Sequence, residues 1–298
     1  MLPEELLSNG HLALGRAKAT RRGSHVIFEN AIRQELEARL TLEAQLVLAA
    51  ERGEFEMFYQ PQVRLVDGGL IGAEALIRWR HPEHGLVSPG EFMPVVNTSP
   101  ISERIAAWVL ETACRQARAW ELAGHGLRVG INLSPSQLQS GDLAKSVAEI
   151  LDATRLTPSL LELEVTEEEE RVLDTFRRIQ ELGVRILFDD FGTGYASLTY
   201  LKKFPLDGLK IDKSFVLDLL TQADDAAIVG STIGLSRQLG LSVIAEGIEN
   251  RASADLLISM GCEEGQGYFF GLPMSAQAFE SEFLAKSGEA KVNAGQAA

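Results

Sequence analysis

Short apolar runs alternate with segments of helical periodicity from about residue 54 onward, and this alternation constrains the fold more than any other feature of the sequence. Repeated strand and helix units predict a largely parallel sheet, either a barrel or a doubly wound sheet. The predicted strands are residues 55–60, 70–79, 128–133, 160–165, 185–188, 208–211, 242–245 and 265–270. Eight such strands favour a barrel.

Apolar stripes at helical spacing lie between the predicted strands. They are Leu143, Val147, Ile150 and Leu151; Val172, Phe176 and Ile179; and Ile228, Thr232, Leu235 and Leu239. Such stripes predict helices that pack on the sheet, and we assign them no chemistry. Residues 30–52 are also helix-prone.

The chain has 298 residues, 45% of them hydrophobic, which is enough for a large buried core. No apolar run approaches the roughly 20 residues that span a bilayer, and the N-terminus lacks the pattern of a secretory signal. We therefore expect a cytoplasmic chain without membrane contact. Cys114 and Cys262 lie outside any CxxC motif, so we expect two buried thiols and neither a disulfide framework nor a zinc site.

The formal net charge of −14, from 42 acidic and 28 basic residues, excludes one class of function. Sequence-independent binding of long DNA or RNA relies on a basic surface, so we expect no nucleic-acid polymer as a partner. A small anionic ligand is compatible with this charge if a cation lies between the ligand and the carboxylates.

Polar residues interrupt or end most of the predicted strands. They are Glu74, Asn132, Glu164, Glu167, Asp189, Asp190, Lys210, Glu246, Glu249 and Gln266. In a TIM-like barrel such positions converge on the C-terminal mouth, where catalysis occurs. Burying so many like charges together is costly unless cations compensate them, so the cluster predicts bound metal. Because all the candidate ligands are oxygens, Mg²⁺ or Mn²⁺ is favoured over zinc or copper.

The adjacent pair Asp189 and Asp190 is suited to bridging two metal ions. Two ions suit phosphodiester cleavage, since they polarise a phosphoryl oxygen and lower the pKa of a bound water. Lys210 would then orient that water, stabilise charge or assist proton transfer; alternatively, it neutralises Asp212. Residues 190–198 carry two glycines around a threonine directly after the acidic pair, which predicts a loop that closes over the site.

Ordered motifs cover residues 49–283 of the chain. They are Gln60-Pro61; Glu74-Ala75-Leu76, followed by Ile77-Arg78-Trp79-Arg80-His81-Pro82; Asn132-Leu133-Ser134; Glu164-Val165-Thr166-Glu167; Asp189-Asp190-Phe191-Gly192-Thr193-Gly194-Tyr195; Leu209-Lys210-Ile211-Asp212; Ala245-Glu246-Gly247-Ile248-Glu249; and Gln266-Gly267-Tyr268. In this order they resemble the motifs of the EAL family of cyclic di-GMP phosphodiesterases.

The resemblance implies a fold and an activity. The fold would be an α/β TIM-like (β/α)8 barrel whose irregular first strand runs antiparallel to the others. The activity would be hydrolysis of cyclic di-GMP to linear 5'-pGpG with two Mg²⁺ or Mn²⁺ ions in each active site. A homodimer is expected, since members of the family commonly dimerise near the lid loop.

The same resemblance assigns roles to individual residues. One metal ion would be held by Glu74, Asn132, Glu164 and Asp189, and the second by Asp189, Asp190 and, through water, Glu246. Lys210 would act on the nucleophilic water, which makes Lys210, Glu246 and Glu74 the catalytic set. The dinucleotide would be held by Gln60, Leu76, Arg78, Asp212 and Gln266. Glu167 would tether the lid loop, and Glu249 would support that loop and the side of the second metal.

The two ends of the chain differ from the centre. Residues 12–28 resemble the closing helix and strand of a GGDEF domain, through Arg16-Ala17-Lys18, Arg22-Gly23 and Val26-Ile27-Phe28. We expect residues 1–35 to be the C-terminal remnant of a GGDEF domain and a linker, originating in a longer protein. Residues 36–285 would be the EAL phosphodiesterase domain and 286–298 a disordered tail. The alternative for the first segment is an ordinary helical extension.

One segment departs from the family pattern. The connection after Glu167 is shorter by about one helical turn, and residues 167–170 are all glutamates where the family has Glu-Ser. The change either affects the lid, the dimer and the activity, or is only a trimmed surface loop.

Two other functions stay open for such a chain. One is a catalytically weak or inactive cyclic di-GMP receptor of the same fold. The other is a barrel enzyme that abstracts a proton next to a carboxylate, with Lys210 as the base and magnesium on the acids.

Overall fold

A computed structural model describes residues 3–20, 25–139, 143–166, 172–192, 201 and 203–285. The chain divides into two units, residues 1–54 with 79–101, and residues 55–78 with 102–298. The described strands are β1 (Phe55–Arg64), β2 (Leu70–His81), β3 (Gly85–Val87), β4 (Arg128–Asn132), β5 (Leu161–Val165), β6 (Arg185–Phe191), β7 (Gly208–Ile211), β8 (Ser242–Ala245), β9 (Glu264–Gln266) and β10 (Met274–Ser275).

Most of the described helices lie in the connections between strands. The described helices are α1 (Pro3–Thr20), α2 (Asn30–Arg52), α3 (Pro89–Val96), α4 (Ser102–Leu122), α5 (Pro135–Gln139), α6 (Leu143–Thr154), α7 (Leu173–Glu181), α8 (Lys213–Leu217), α9 (Ala223–Leu239), α10 (Arg251–Met260) and α11 (Ala276–Phe279). Capping residues determine where several of these helices begin and end. The side chain of Asn250 accepts from Ser253 N at 2.9 Å and caps α10, and Gly261, with φ of 87°, ends that helix.

The larger unit is a closed eight-stranded barrel. Strands β2, β4, β5, β6, β7, β8 and β9 follow one another in parallel. Strand β1 closes the ring, because it pairs antiparallel with β9 and also pairs with β2. The predicted α/β TIM-like barrel with an antiparallel first strand is therefore confirmed.

The eighth predicted strand is too long. The sequence predicts residues 265–270, but β9 ends at Gln266. Beyond that point the backbone bonds to the turn after β8, since Ile248 N donates to Gln266 O at 3.1 Å and Phe269 N donates to Ile248 O at 3.0 Å. Strands β3 and β10, of three and two residues, are not predicted because they are too short to show an alternating pattern.

The predicted apolar stripes of α6 and α7 are confirmed as the buried faces of these helices. The stripe predicted for α9 does not coincide with the face that is buried. Leu143, Val147 and Leu151 are buried, whereas Ile228 and Leu239 are 39% and 46% exposed. Helix α9 instead buries Val229, Thr232, Ile233 and Ser236. Apolar residues lie on both faces of α9, so spacing alone does not identify the face that packs on the barrel.

The smaller unit contains α1, α2, β3 and α3. The helix predicted over residues 30–52 is confirmed. A helix precedes it, as the GGDEF resemblance implies, but the strand implied at residues 26–28 does not form, and Ile27 is 78% exposed. A strand requires a paired neighbour to satisfy its backbone, and none of the described strands pairs there.

Two sequence-based expectations about individual segments can be compared with the structure. Cys114 and Cys262 are both buried and unpaired. Within the described ranges, no helix is both long enough and apolar enough to cross a membrane. The expected tail, residues 286–298, lies outside the described residues.

Charged residues also close the N-terminal mouth of the barrel. Glu162 on β5 is fully buried; its Oε1 lies 3.0 Å from Arg128 Nη1 and 2.7 Å from Arg185 Nε. Arg128 Nη2 lies 2.8 Å from Glu264 Oε2. Burial raises the pKa of Glu162, and the two arginines oppose that rise. The cluster joins the N-terminal ends of four strands, so we assign it to stability.

Glu162→Gln is expected to lower the free energy of unfolding by about 3 kcal/mol, because it leaves the half-buried guanidinium of Arg185 without its anion and removes one of the two anions beside Arg128. Urea denaturation measures this loss. The control is Glu111→Gln, which breaks an exposed pair with Arg115 at 2.6 Å and should change stability by under about 0.5 kcal/mol. Equal stability of the two variants would contradict a structural role for Glu162.

Candidate active site

The C-terminal ends of the barrel strands bring together most of the predicted metal and catalytic residues. Glu74, Glu164, Asp189 and Lys210 are 6%, 1%, 9% and 0% exposed. Parallel strands present their ends at the same mouth, and side chains that face inward there must meet. The residues come from β2, β5, β6 and β7.

The ammonium group of Lys210 lies at the centre of the site. Its Nζ lies 2.7 Å from Glu164 Oε2 and 2.6 Å from Glu246 Oε1, with Glu74 Oε2 at 3.4 Å and Asp189 Oδ1 at 3.6 Å. Lys210 therefore compensates several carboxylates at once. The alternative in which Lys210 mainly neutralises Asp212 does not match this geometry.

Glu74 is held by three neighbours. Asn132 Nδ2 donates to its Oε1 at 2.6 Å, and Gln266 Nε2 donates to its Oε2 at 2.6 Å. Burial alone would raise the pKa of Glu74, but Lys210 and these two amides lower it below the ordinary value. Glu74 is thus an oriented, ionised carboxylate that is almost completely buried.

A bulge in β6 explains how Asp189 and Asp190 both reach the mouth. Consecutive side chains of a regular strand point to opposite faces. The register of β6 with β7 shifts between Phe188 and Phe191, and Asp190 has a positive φ of 53°. This break in the ladder turns the second carboxylate toward the side of the first.

Three carboxylates near the bulge are spaced as metal ligands. Oxygen atoms of Asp189, Asp190 and Glu246 all lie within 4.8 Å of one another. Glu164 Oε1 is buried and has no hydrogen-bond partner, which leaves it available to a cation. A set of hard oxygen donors fits Mg²⁺ or Mn²⁺. The residues present therefore fit a divalent metal centre.

The charges of the site perturb each other strongly. Burial would lower the pKa of Lys210, but Asp189, Glu164, Glu246 and Glu74 raise it well above the ordinary value, so the amine is protonated at neutral pH. Burial raises the pKa of Glu246 to about 8, against the opposing effect of Lys210. A raised carboxylate pKa of this kind indicates that neighbouring carboxylates need a cation beside them to be ionised at the same time.

Asp190 and Asp212 interact at the edge of the site. Burial, followed by the charges of Asp189 and Asp212, raises the pKa of Asp190 to about 6. Burial alone would raise the pKa of Asp212, but hydrogen bonds donated by Ser214 lower it below the ordinary value. Asp212 accepts from Ser214 N at 3.0 Å and thereby caps α8. Asp212 therefore begins α8 directly after β7, beside Asp190.

A cavity of about 340 Å³ opens over the carboxylates. Its lining includes five of the predicted residues besides Asp189 and Glu246: Gln60, Glu74, Leu76, Glu249 and Gln266. Arg78 is absent from the lining and lies over the Phe58 ring, 5.5 Å from its centroid. Five further residues line the cavity without a predicted role: Lys213, Leu217, Gly247, Gly267 and Tyr268.

Two predictions fall outside the described residues. Glu167 and the shortened acidic segment that follows it lie there, and so does most of the glycine-containing loop after Asp190.

Gln62 on β1 has no predicted role, although it is fully buried beside the site. The signal that could have found it is its polar character two residues after Gln60 on the same strand.

The barrel with this acidic mouth belongs to a known family. Residues 43–273 match the EAL domain family, so the chain is an EAL domain protein. The family is metal-dependent, in agreement with the acidic cluster.

Similar proteins share most of this chain. It is 40% identical over 279 residues to the Pseudomonas aeruginosa protein named bifunctional diguanylate cyclase/cyclic di-GMP phosphodiesterase MucR, covering 92% of this chain and 41% of MucR. It is 39% identical over 287 residues to cyclic di-GMP phosphodiesterase NbdA of the same species, covering 94% of this chain and 36% of NbdA. The chain thus spans less than half the length of these curated relatives.

A solved structure agrees with the fold in detail. The PaMucR phosphodiesterase in complex with c-di-GMP is 42% identical and superimposes with a TM-score of 0.78. The match covers 80% of this chain and 99% of the PaMucR chain.

Proposed function

We propose that the chain is a metal-dependent phosphodiesterase that hydrolyses cyclic di-GMP to linear 5'-pGpG. The observation that carries this proposal is the Lys210 ammonium among four carboxylates at the base of a cavity. The names of MucR and NbdA support the reaction class, and the PaMucR complex supports the ligand. These relatives favour a phosphodiester over the small carboxylic acid of a proton-abstracting enzyme.

Two Mg²⁺ or Mn²⁺ ions are the proposed cofactors. Glu74, Asn132, Glu164 and Asp189 would hold one ion, and Asp189, Asp190 and Glu246 would hold the other. When bound, such ions supply Lewis-acid chemistry, which acidifies a water and stabilises charge on a phosphoryl oxygen. The close approach of the Asp189, Asp190 and Glu246 oxygens supports the second group.

Lys210 is the proposed catalytic cation. Burial would lower the pKa of its amine, but the surrounding carboxylates raise it well above the ordinary value, so in the metal-free site the amine is protonated and donates hydrogen bonds. Its Nζ lies within 3.6 Å of all four carboxylates, which would place a positive charge beside the attacking water and the phosphoryl group. A preorganised charge of this kind stabilises the transition state for attack on phosphorus.

The cavity supports the proposed binding of the dinucleotide. Its volume of about 340 Å³ is within the ordinary range of small-molecule sites. Gln60, Leu76 and Gln266 line it, while Arg78 and Asp212 would act from its edges. Glu167 and Glu249 would support a lid loop, and a homodimer is proposed on the family resemblance.

The experiment is to incubate the purified chain with cyclic di-GMP, with Mg²⁺, with Mn²⁺, or with EDTA, and to follow linear pGpG by chromatography. We expect pGpG only with Mg²⁺ or Mn²⁺. Binding in Ca²⁺ is measured in parallel. Binding without turnover would instead indicate a receptor of the same fold. The absence of both binding and turnover would contradict the proposal.

A further inference from the structure

A buried glutamine on the inverted first strand contacts the site from inside the barrel. Gln62 and Gln266 are directly opposite in the antiparallel ladder of β1 and β9, and they are 0% and 4% exposed. Opposed residues of a ladder project from the same face, so both amides point into the barrel. The antiparallel direction of β1 brings Gln62 into this register.

The amide of Gln266 is held by three hydrogen bonds. Its Nε2 donates to Glu74 Oε2 at 2.6 Å and to Glu246 Oε1 at 2.9 Å. Its Oε1 accepts from Gln62 Nε2 at 3.0 Å. An amide nitrogen has two hydrogens, so both are used by the two carboxylates. The remaining acceptor of Gln266 is used by Gln62.

The orientation of the Gln266 amide decides whether it attracts or repels the carboxylates. If the amide were turned by 180°, its oxygen would face the oxygens of Glu74 and Glu246. Within the described residues, Gln62 is the side-chain donor that satisfies Gln266 Oε1 in the observed orientation. A buried acceptor without a donor costs about 1–3 kcal/mol, so Gln62 selects one orientation of Gln266.

Two strand glycines make room for side chains inside the barrel. A Cβ atom at Gly72 would lie 2.9 Å from Gln62 Oε1, and a Cβ atom at Gly130 would collide with Glu164 Oε1. Glycine inside a strand weakens it and marks a close approach by another group. Gly72 therefore accommodates the amide of Gln62, and Gly130 accommodates the carboxylate of Glu164.

We propose that Gln62 is a positioning residue that fixes the amide of Gln266, and through it the carboxylates Glu74 and Glu246. This inference rests on the proposed metal-dependent function. The hydrogen bond described for the Gln62 side chain goes to Gln266, which is not a proposed metal ligand. Gln62 therefore acts on the ligands through Gln266. Partners of this kind, one step away from the ligands, typically change metal affinity by 10–100-fold when they are removed.

The test measures Mn²⁺ affinity by isothermal titration calorimetry on the full chain. Gln62→Met keeps the length of the side chain and removes its donor, and Gln266→Met removes the amide on which it acts. We expect Gln62→Met to weaken Mn²⁺ binding about tenfold or more. The double variant should bind Mn²⁺ no more weakly than Gln266→Met, because residues that act through one another are not additive.

Two further variants separate positioning from stability. Ser236→Ala removes a buried hydrogen bond of 2.8 Å to Thr232 O in α9, and it should leave Mn²⁺ affinity unchanged. Gln62→Leu also lacks a donor and covers the case in which Gln62→Met does not fold. Because it too leaves Gln266 Oε1 without its donor, Gln62→Leu should also weaken Mn²⁺ binding.

Wild-type Mn²⁺ affinity in the folded Gln62 variants would overturn the inference, as would additive losses in the double variant. Failure of the proposed function gives a different result. In that case the wild-type chain itself would bind no Mn²⁺ or form no pGpG, whatever residue stands at position 62.

Discussion

Replacing Lys210 by methionine is expected to lower turnover of cyclic di-GMP by roughly 1,000-fold, because it removes the fixed positive charge at the reacting centre. The same change leaves Glu74, Glu164, Asp189 and Glu246 without their shared cation. In EDTA we therefore expect the free energy of unfolding to fall by about 3–5 kcal/mol. Mn²⁺ should restore stability without restoring turnover. Urea denaturation and pGpG formation measure the two effects.

The control for Lys210→Met is Lys145→Met on α6. Lys145 is 69% exposed and lies 3.8 Å from Glu149. Loss of this exposed pair should change stability by under about 0.5 kcal/mol and leave turnover unchanged. If Lys210→Met kept wild-type turnover, the catalytic assignment of Lys210 would be wrong. If its stability did not respond to Mn²⁺, the shared compensation of the four carboxylates would be wrong.

Glu74→Gln is expected to reduce turnover by about 1,000-fold or more and to weaken Mn²⁺ binding. The substitution keeps the size of the side chain but removes the charge that Asn132, Gln266 and Lys210 surround. The product pGpG is measured by chromatography at saturating Mn²⁺, and Mn²⁺ affinity by calorimetry.

The matched control for Glu74→Gln is Glu162→Gln, which also neutralises a buried glutamate inside the barrel but at its opposite mouth. It should lose stability and keep Mn²⁺ affinity. Retained turnover in Glu74→Gln would remove the basis for the proposed reaction. Equal losses of Mn²⁺ affinity in both variants would show that Glu74 acts only through the stability of the barrel.

The barrel could be predicted because its signal is repeated along the chain. Most of the parallel strands contain a short apolar run, and all eight predicted strands are present at least in part. The end of β1 could not be placed: Gln60, Pro61 and Gln62 look like the close of a strand, yet β1 continues to Arg64. Proline and buried amides are unusual inside strands, so local sequence works against the observed structure there.

The residues of the site could be predicted from the sequence, but the contacts between their side chains could not. Family motifs identify Glu74, Asp189, Lys210 and Glu246 by position. They do not indicate that Lys210 lies between the carboxylates, because that depends on how separate strands meet across the barrel. Gln62 was missed for the same reason, since its partner Gln266 is 204 residues away in sequence.

The two mouths of the barrel carry buried charges of different balance. At the N-terminal mouth, Arg128 and Arg185 match Glu162 and Glu264 in number. At the C-terminal mouth, four carboxylates surround the buried ammonium group of Lys210. This excess of buried negative charge favours cations at the C-terminal mouth and opposes the approach of an anion such as a phosphodiester. For the proposed phosphodiesterase we therefore expect an ordered binding, in which divalent ions would bind before the anionic nucleotide.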